Sequence, residues 1–279
     1  MSLEDLLFRT SRTFAIAIPL LPDALRAEVG LSYLLFRVAD TLEDAELWSA
    51  SRRAQALADY EALLEREPCA FDWLRDPPTT NADYLELLAR VNEVTAALAL
   101  VSPRKRELII EHVVRTVRGM REWTMRGHNV RTLDDLQQYC YVVAGIVGEL
   151  LTHLFVLSDP DQAPFEHPKK DELLALAPAF GEGLQLVNVV KDRAVDASAG
   201  RHLLPESLPI SEVFVAARRD LDAADRYVEL LDGAHPGIIA FCTLPVRLAR
   251  ATLDRVEHGG AGAKLTREEV AQILIALRK

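Results

Sequence analysis

The chain has 279 residues, 49% of them hydrophobic and 27% charged, with a formal net charge of −10. That length supports one large core or at most two, and the apolar fraction excludes intrinsic disorder. The negative balance offers a nucleic acid no electrostatic footing, so no nucleic-acid partner is expected. Cys69, Cys140 and Cys242 lie far apart, with no CxxC and no matching His spacing, which points away from disulfides and zinc and toward a reducing cytosol. The opening MSLEDLLFRTSRTF has no signal-peptide core, and no apolar run reaches the roughly 18–20 residues that cross a bilayer. The expectation is a soluble cytoplasmic protein.

In chain order, apolar residues recur at threes and fours in LSYLLFRVADTLEDAELW, SRRAQALADYEALLERE, NADYLELLARVNEVTAALALV and PRKRELIIEHVVRTVRGMREW. The pattern continues in TLDDLQQYCYVVAGIVGELLTHLFVL, EGLQLVNVVKDRAVDA, SEVFVAARRDLDAADRYVELL, PGIIAFCTLPVRLARATLDRV and TREEVAQILIALRK. Asn81, Thr132 and Ser211 suit helix N-caps, and Pro103 suits a first helical turn. Breaks fall at EPCAFDWLRDPPTT, LSDPDQAPFEHPKK, AGRHLLPESLPI and EHGGAGAKLT, none long enough to be an interdomain linker. The pattern predicts a single all-α domain over 1–279, with about ten helices.

Two of these helices carry acids where burial is expected. Asp40 and Asp44 share a helix face with Arg37 and Tyr33, while Leu31, Leu34, Leu35, Phe36 and Val38 make the rest of that helix apolar. In LQLVNVVKDRAVD, Gln185, Asn188, Asp192 and Asp196 form a second polar face among Leu184, Leu186, Val187, Val189 and Val190. A single Asp pair at this spacing is ordinarily a solvated face. Two pairs on two apolar helices need cations, because a buried unpaired carboxylate costs several kcal/mol. Lys and Arg could serve. An all-oxygen donor set without His or Cys suits Mg²⁺ best, and Mg²⁺ shares its shell with phosphate oxygens. The spacing therefore suggests two carboxylate helices facing one another, with Mg²⁺ and a diphosphate between them.

Four segments together resemble the squalene/phytoene synthase family: SRTFAIAIPLLP (11–22), DTLED (40–44), YCYVVAGIVGELLTHLF (139–155) and GLQLVNVVKDRAVDASAGRHLLP (183–205). The resemblance implies an isoprenoid synthase fold, a helical bundle around a central cavity. It implies Asp40, Asp44, Asn188, Asp192 and Asp196 as the Mg²⁺ site. Ser11, Arg12, Phe14, Tyr33, Arg37, Gln185, Lys191 and Arg201 would bind diphosphate and prenyl groups. Tyr139 would be the active-site tyrosine, with Val143, Ala144, Val147 and Gly148 lining a prenyl channel. The small residues of VAGIVG also suit tight helix packing. Two positions depart from the family pattern: Lys191 stands where Arg is usual, losing the two-pronged grip on phosphate, and Val195 replaces a Glu of the second motif.

By the same resemblance, two farnesyl diphosphates condense head to head through a cyclopropylcarbinyl (presqualene) diphosphate. NADPH then supplies hydride for squalene; phytoene and dehydrosqualene need none. Ile146 in VAGIVG tilts the expectation toward squalene, and a chain shorter than eukaryotic squalene synthases, without their C-terminal membrane anchor, is what the resemblance implies for a bacterial member, with peripheral contact at the inner membrane face for product release. The competing readings are an NADPH-independent phytoene or dehydrosqualene synthase, a terpene cyclase using one prenyl diphosphate, and a non-catalytic scaffold. The retained acid pairs speak against the last, since a scaffold has no physical need for mutually repelling buried carboxylates.

Overall fold

A computed structural model describes residues 2–11, 13–67, 71–158, 167–198 and 203–277. Among the described residues every regular element is helical and no strand occurs. Their contacts divide them into two compact units: Met1–Ile18 with Asp23–Gly127, and Pro19–Pro22 with His128–Lys279.

The first unit contains α1 (Leu3–Thr10), α2 (Phe14–Ala17), α3 (Asp23–Glu43), α4 (Ala50–Leu64), α5 (Ala82–Ala89), α6 (Val91–Ala96) and α7 (Pro103–Met125). α3 is its axis and touches α1, α4, α5, α6 and α7. It starts at Asp23, well before the run that periodicity marks from Leu31, and that acid complements the positive end of the helix dipole. Leu31, Leu34, Leu35, Phe36, Val38, Ala39 and Leu42 are buried, each large side chain contributing about 2 kcal/mol by transfer from water. The Tyr60 hydroxyl of α4 donates to the Leu35 carbonyl at 2.9 Å, and Arg53 Nη1 donates to the Glu43 carbonyl at 3.0 Å, satisfying an acceptor at the end of α3. α4 and α7 are strapped by Glu61, which meets Arg118 at 2.5 Å and Arg121 at 2.6 Å. Lys105, in the basic RKRE start of α7, pairs with Glu28 at 2.8 Å.

The second unit contains α8 (Leu133–Cys140), a π-helical turn (Tyr141–Gly145), α9 (Ile146–Leu157), α10 (His167–Ser198), α11 (Ile210–Leu230), α12 (Pro236–Gly259) and α13 (Arg267–Ala276). α10 is central here, packing on the π turn, α8, α9, α11 and α12. It begins inside the predicted LSDPDQAPFEHPKK break and runs on through Pro178, so proline does not end it. α11 starts at Ile210 after Pro209, whose φ of −58° already suits a helix entry, so Ser211 is not the cap. Asn81, Thr132 and Pro103 do occupy the starts expected of them. Two continuous stretches, Leu133–Leu157 and Lys169–Ala197, reach the length and apolarity of a bilayer span, which the sequence reading did not anticipate. The π turn joins α8 to α9, and α10 extends upstream. Half of each apolar window is buried within the protein, as in the core helices of a folded domain.

Glycines set the closeness of α9 and α10. A Cβ at Gly148 would lie 2.1 Å from the Ala177 carbonyl oxygen, and one at Gly181 would lie 2.0 Å from that of Ala144. Backbone meets backbone at both points, so neither neighbour can turn away. Gly148→Ala or Gly181→Ala is expected to destabilise the protein by about 2 kcal/mol or more through overpacking. Gly30→Ala in α3 meets only a flexible methyl of Leu7 at 3.2 Å and should be neutral or stabilising. Urea denaturation of the three variants tests the contrast; equal stability would remove the backbone-contact explanation.

Candidate active site

In α3 the burial pattern isolates one polar stripe. Tyr33, Arg37 and Asp40 are half-buried on a helix whose other residues from Leu31 to Glu43 are all buried, and Asp44, one turn beyond Asp40, is exposed. The Asp44 N–H donates to the Asp40 carbonyl at 2.8 Å, so the helical register carries both acids along one edge. Arg37 Nη1 pairs with Asp40 Oδ2 at 3.1 Å, and Nη2 donates to the Tyr33 hydroxyl at 2.6 Å. That hydroxyl donates in turn to the Thr10 carbonyl at 3.2 Å, next to Ser11. The Phe14 ring stands 5.8 Å from that of Tyr33. Ser11, Phe14, Tyr33, Arg37, Asp40 and Asp44 thus belong to one unit. Arg12 lies outside the described residues.

The electrostatics of this stripe are set by burial and by an acid and a guanidinium side by side. Burial, then Asp44 and Glu43, push the Asp40 carboxyl up to about 7 against the opposing pull of Arg37. Burial alone would lower the Arg37 proton affinity, yet Asp40 and Tyr33 raise it, and the side chain stays cationic. Arg37 Nε and Ser11 Oγ are buried without hydrogen-bond partners. Such groups cost free energy unless something pairs with them, and phosphate oxygens suit both donors.

The second motif lies along α10. Gln185, Lys191, Asp192 and Asp196 are half-buried and Asn188 is exposed, while Leu186, Val187, Val189 and Val190 between them are buried. The Lys191 ammonium donates to Asn188 Oδ1 at 3.0 Å and pairs with Asp192 Oδ2 at 3.2 Å. Lysine therefore supplies cationic charge on this edge, from a single point rather than a planar fork. The Lys191 carbonyl also accepts from the Gly262 N–H at 2.8 Å, which ties the turn after α12 to this motif. Arg201 lies outside the described residues.

Tyr139, in the last turn of α8, is buried and meets the His128 ring edge-on at 5.9 Å. Val143, Ala144 and Val147 follow, half-buried. The π turn widens the helix at Tyr141–Gly145, so Tyr139, Val143 and Val147 do not stack as consecutive turns of an ideal α-helix. At Gly148 the missing bulk makes room for α10 itself, so the space a side chain would fill there is taken by backbone, not by a channel.

Two residues near these motifs escape sequence reasoning. Tyr84 of α5 brings its ring centroid within 6.0 Å of the Arg37 guanidinium carbon. Glu182 of α10 lies against Gly145, where a Cβ would come within 3.1 Å of its Oε1. Burial, then Asp220, raise its carboxyl to about 7 despite Arg219. Neither has a motif: Tyr84 reads as an ordinary helix tyrosine and Glu182 as a solvated acid.

Among the described residues no three His, Cys, Asp or Glu side chains converge as a metal cage. The acids Asp40 and Asp44 of α3 and Asp192 and Asp196 of α10 are oxygen donors, which suit Mg²⁺, an ion held by one or two carboxylates while water and phosphate oxygens complete its shell.

Comparison with known proteins agrees with the geometry. The Squalene/phytoene synthase family profile matches residues 7–212. Squalene synthase BSS of Botryococcus braunii is 28% identical over 90% of this chain, and squalene synthase of Schizosaccharomyces pombe 27% over 97%. The chain spans 57% and 63% of the length of these two curated relatives. The structure of TcSQS with the ligand BPH1237 superposes with a TM-score of 0.80 at 25% identity, covering 99% of this chain and 85% of that one. The helical architecture is that of the isoprenoid synthases, and the chain belongs to the squalene/phytoene synthase family.

Proposed function

We propose that this chain is a prenyltransferase of the squalene synthase type, joining two farnesyl diphosphates head to head through presqualene diphosphate to give squalene. The observation that carries this is the α3 stripe: a half-buried Arg37 with a buried, unpaired Nε, ion-paired to an Asp40 whose carboxyl is raised to about 7. Residues 1–279 act in this proposal as one catalytic domain, with both carboxylate pairs serving the same reaction.

Asp40 and Asp44, with Asn188, Asp192 and Asp196, would hold Mg²⁺, which supplies Lewis-acid charge to the departing diphosphate. Arg37 and Ser11 donate to its oxygens, Lys191 adds charge, and Arg12 and Arg201 are further candidate cations. Tyr139 and the apolar Phe14, Val143, Ala144 and Val147 shield the allylic cation from water; Tyr139 or the released diphosphate takes the proton lost on ring closure. NADPH would supply hydride for the final reduction. A hydrocarbon product suits a cytoplasmic enzyme with peripheral contact at the membrane.

The test is incubation with farnesyl diphosphate and Mg²⁺, with and without NADPH. Squalene formed only with NADPH is expected. A hydrocarbon made equally in both arms would replace this assignment with dehydrosqualene or phytoene synthesis, and a cyclised product from one substrate with terpene cyclisation. Asp40→Asn and Asp192→Asn should each lower turnover by at least about a thousandfold with helix content unchanged; retained turnover rejects the metal role.

The raised Asp40 pKa also fixes a pH dependence. The folded protein binds this proton up to about pH 7, whereas an unfolded Asp releases it near its ordinary value of 3.8. Stability from this group is therefore highest in acid and declines as pH rises through about 7. Metal-free wild type should lose melting temperature relative to Asp40→Asn between pH 5 and 8, and Mg²⁺ with inorganic pyrophosphate should restore it above pH 7. Parallel melting curves for both proteins across that range would contradict the burial of this carboxylate.

A further inference from the structure

We propose that Tyr84 is a positioning residue for Arg37, its ring holding the guanidinium in the orientation that leaves Nε free for a phosphate oxygen. This role rests on the diphosphate reading of α3. The Arg37 guanidinium carbon lies over two rings, 5.3 Å from the Tyr33 centroid and 6.0 Å from that of Tyr84. Both distances lie within the range of cation–π attraction. Tyr33 belongs to the same helix as Arg37; Tyr84 comes from a different segment and supplies the restraint that α3 cannot give itself.

The reason for a ring here lies in donor accounting. Arg37 places Nη1 on Asp40 and Nη2 on the Tyr33 hydroxyl, and its Nε has no partner. A carboxylate at position 84 would hold the guanidinium by consuming a donor and neutralising its charge. An aromatic face attracts the cation and leaves every N–H available. The Tyr84 phenol is near enough to raise the proton affinity of both Tyr33 and Arg37.

Tyr84 is itself fixed from two sides. Asn81 caps α5, its Oδ1 accepting from the Asp83 and Tyr84 N–H groups at 3.0 and 3.3 Å. Asp83 and Glu86, flanking Tyr84, hold Arg9 of α1, the first of them at 2.7 Å. α1 is the helix that carries Thr10, the acceptor of the Tyr33 hydroxyl, and leads into Ser11. The turn of α5 that carries the ring is thereby tied to α1, which leads into Ser11.

The test is calorimetric titration of the full chain with inorganic pyrophosphate in MgCl₂, comparing wild type, Tyr84→Phe and Tyr84→Leu, with ligand-free melting recorded for each. Phe keeps the ring and should bind within about twofold of wild type; Leu should bind roughly tenfold more weakly at unchanged helix content. Wild-type affinity in Tyr84→Leu overturns the proposal. Equal weakening in both variants overturns the role of the ring and transfers it to the hydroxyl. Failure of wild type to bind pyrophosphate removes the diphosphate reading, and the Tyr84 role with it. Should Tyr84→Leu aggregate, Tyr84→Gln at this half-exposed position gives the same comparison.

Discussion

An acid on a helix that is apolar around nearly its whole circumference creates a demand that its surroundings must meet. Asp40 stands in that position, and Arg37 one turn before it meets part of the demand. A guanidinium brought into that environment then needs company of its own, found in the Tyr33 hydroxyl and two aromatic faces. The Tyr33 hydroxyl needs an acceptor and takes the Thr10 carbonyl. Each group added to satisfy the previous one draws in another helix, so one carboxylate organises α1, α3 and α5. What is left over, an Nε and a serine hydroxyl, is what an incoming anion would use.

The second unit is organised by proximity. α10 approaches both α9 and the π turn until carbonyl oxygens occupy the volume that side chains would need at Gly148 and Gly181. Contact this close suits a helix carrying an acidic edge, because the apolar Leu186, Val187, Val189 and Val190 around that edge stay sealed from water. The π turn has a related effect. It leaves room at Gly145 for Glu182 and turns Tyr141 so that its hydroxyl donates to Glu149 at 2.9 Å. Asp220 and Glu149 both act on Glu182 to raise its proton affinity, and the buried Asp220 leaves its Oδ2 without a partner.

Periodicity was enough to find α3 and its polar stripe, because three-and-four spacing reports burial directly when only one edge is polar. The caps at Asn81 and Thr132 were legible for a similar reason: the capping side chain bonds within its own turn. Helix limits were less so. The sequence pattern puts a break up to Lys170 and picks up the helix only at Glu182, but α10 already begins at His167 and continues past Pro178, because neighbours on several sides stabilise it. The π turn has no signature in YVVAG that separates it from an α-helix. Tyr84 could not have been found from sequence, since its significance lies in a ring-to-cation distance that only tertiary packing creates. Of the motif residues, Tyr33, Arg37 and Asp40 share a half-buried edge of α3 and Gln185, Lys191, Asp192 and Asp196 one of α10, whereas Asp44 and Asn188 are exposed where the apolar pattern suggested burial; Gly148 was legible as a small residue but not as one filled by a neighbouring backbone.

The hydrogen bond from Gly262 to the Lys191 carbonyl extends the second motif beyond its own helix. Gly262 holds a φ of +78°, a left-handed backbone state that side-chain-bearing residues resist. The far end of the chain thus reaches back, about seventy positions upstream, to grip the peptide group of the lysine that sits between Asn188 and Asp192. A family signature drawn only around the aspartates therefore omits one of its anchors. Swapping or trimming the tail after α12 would slacken that lysine's footing while leaving every acidic letter of the motif intact.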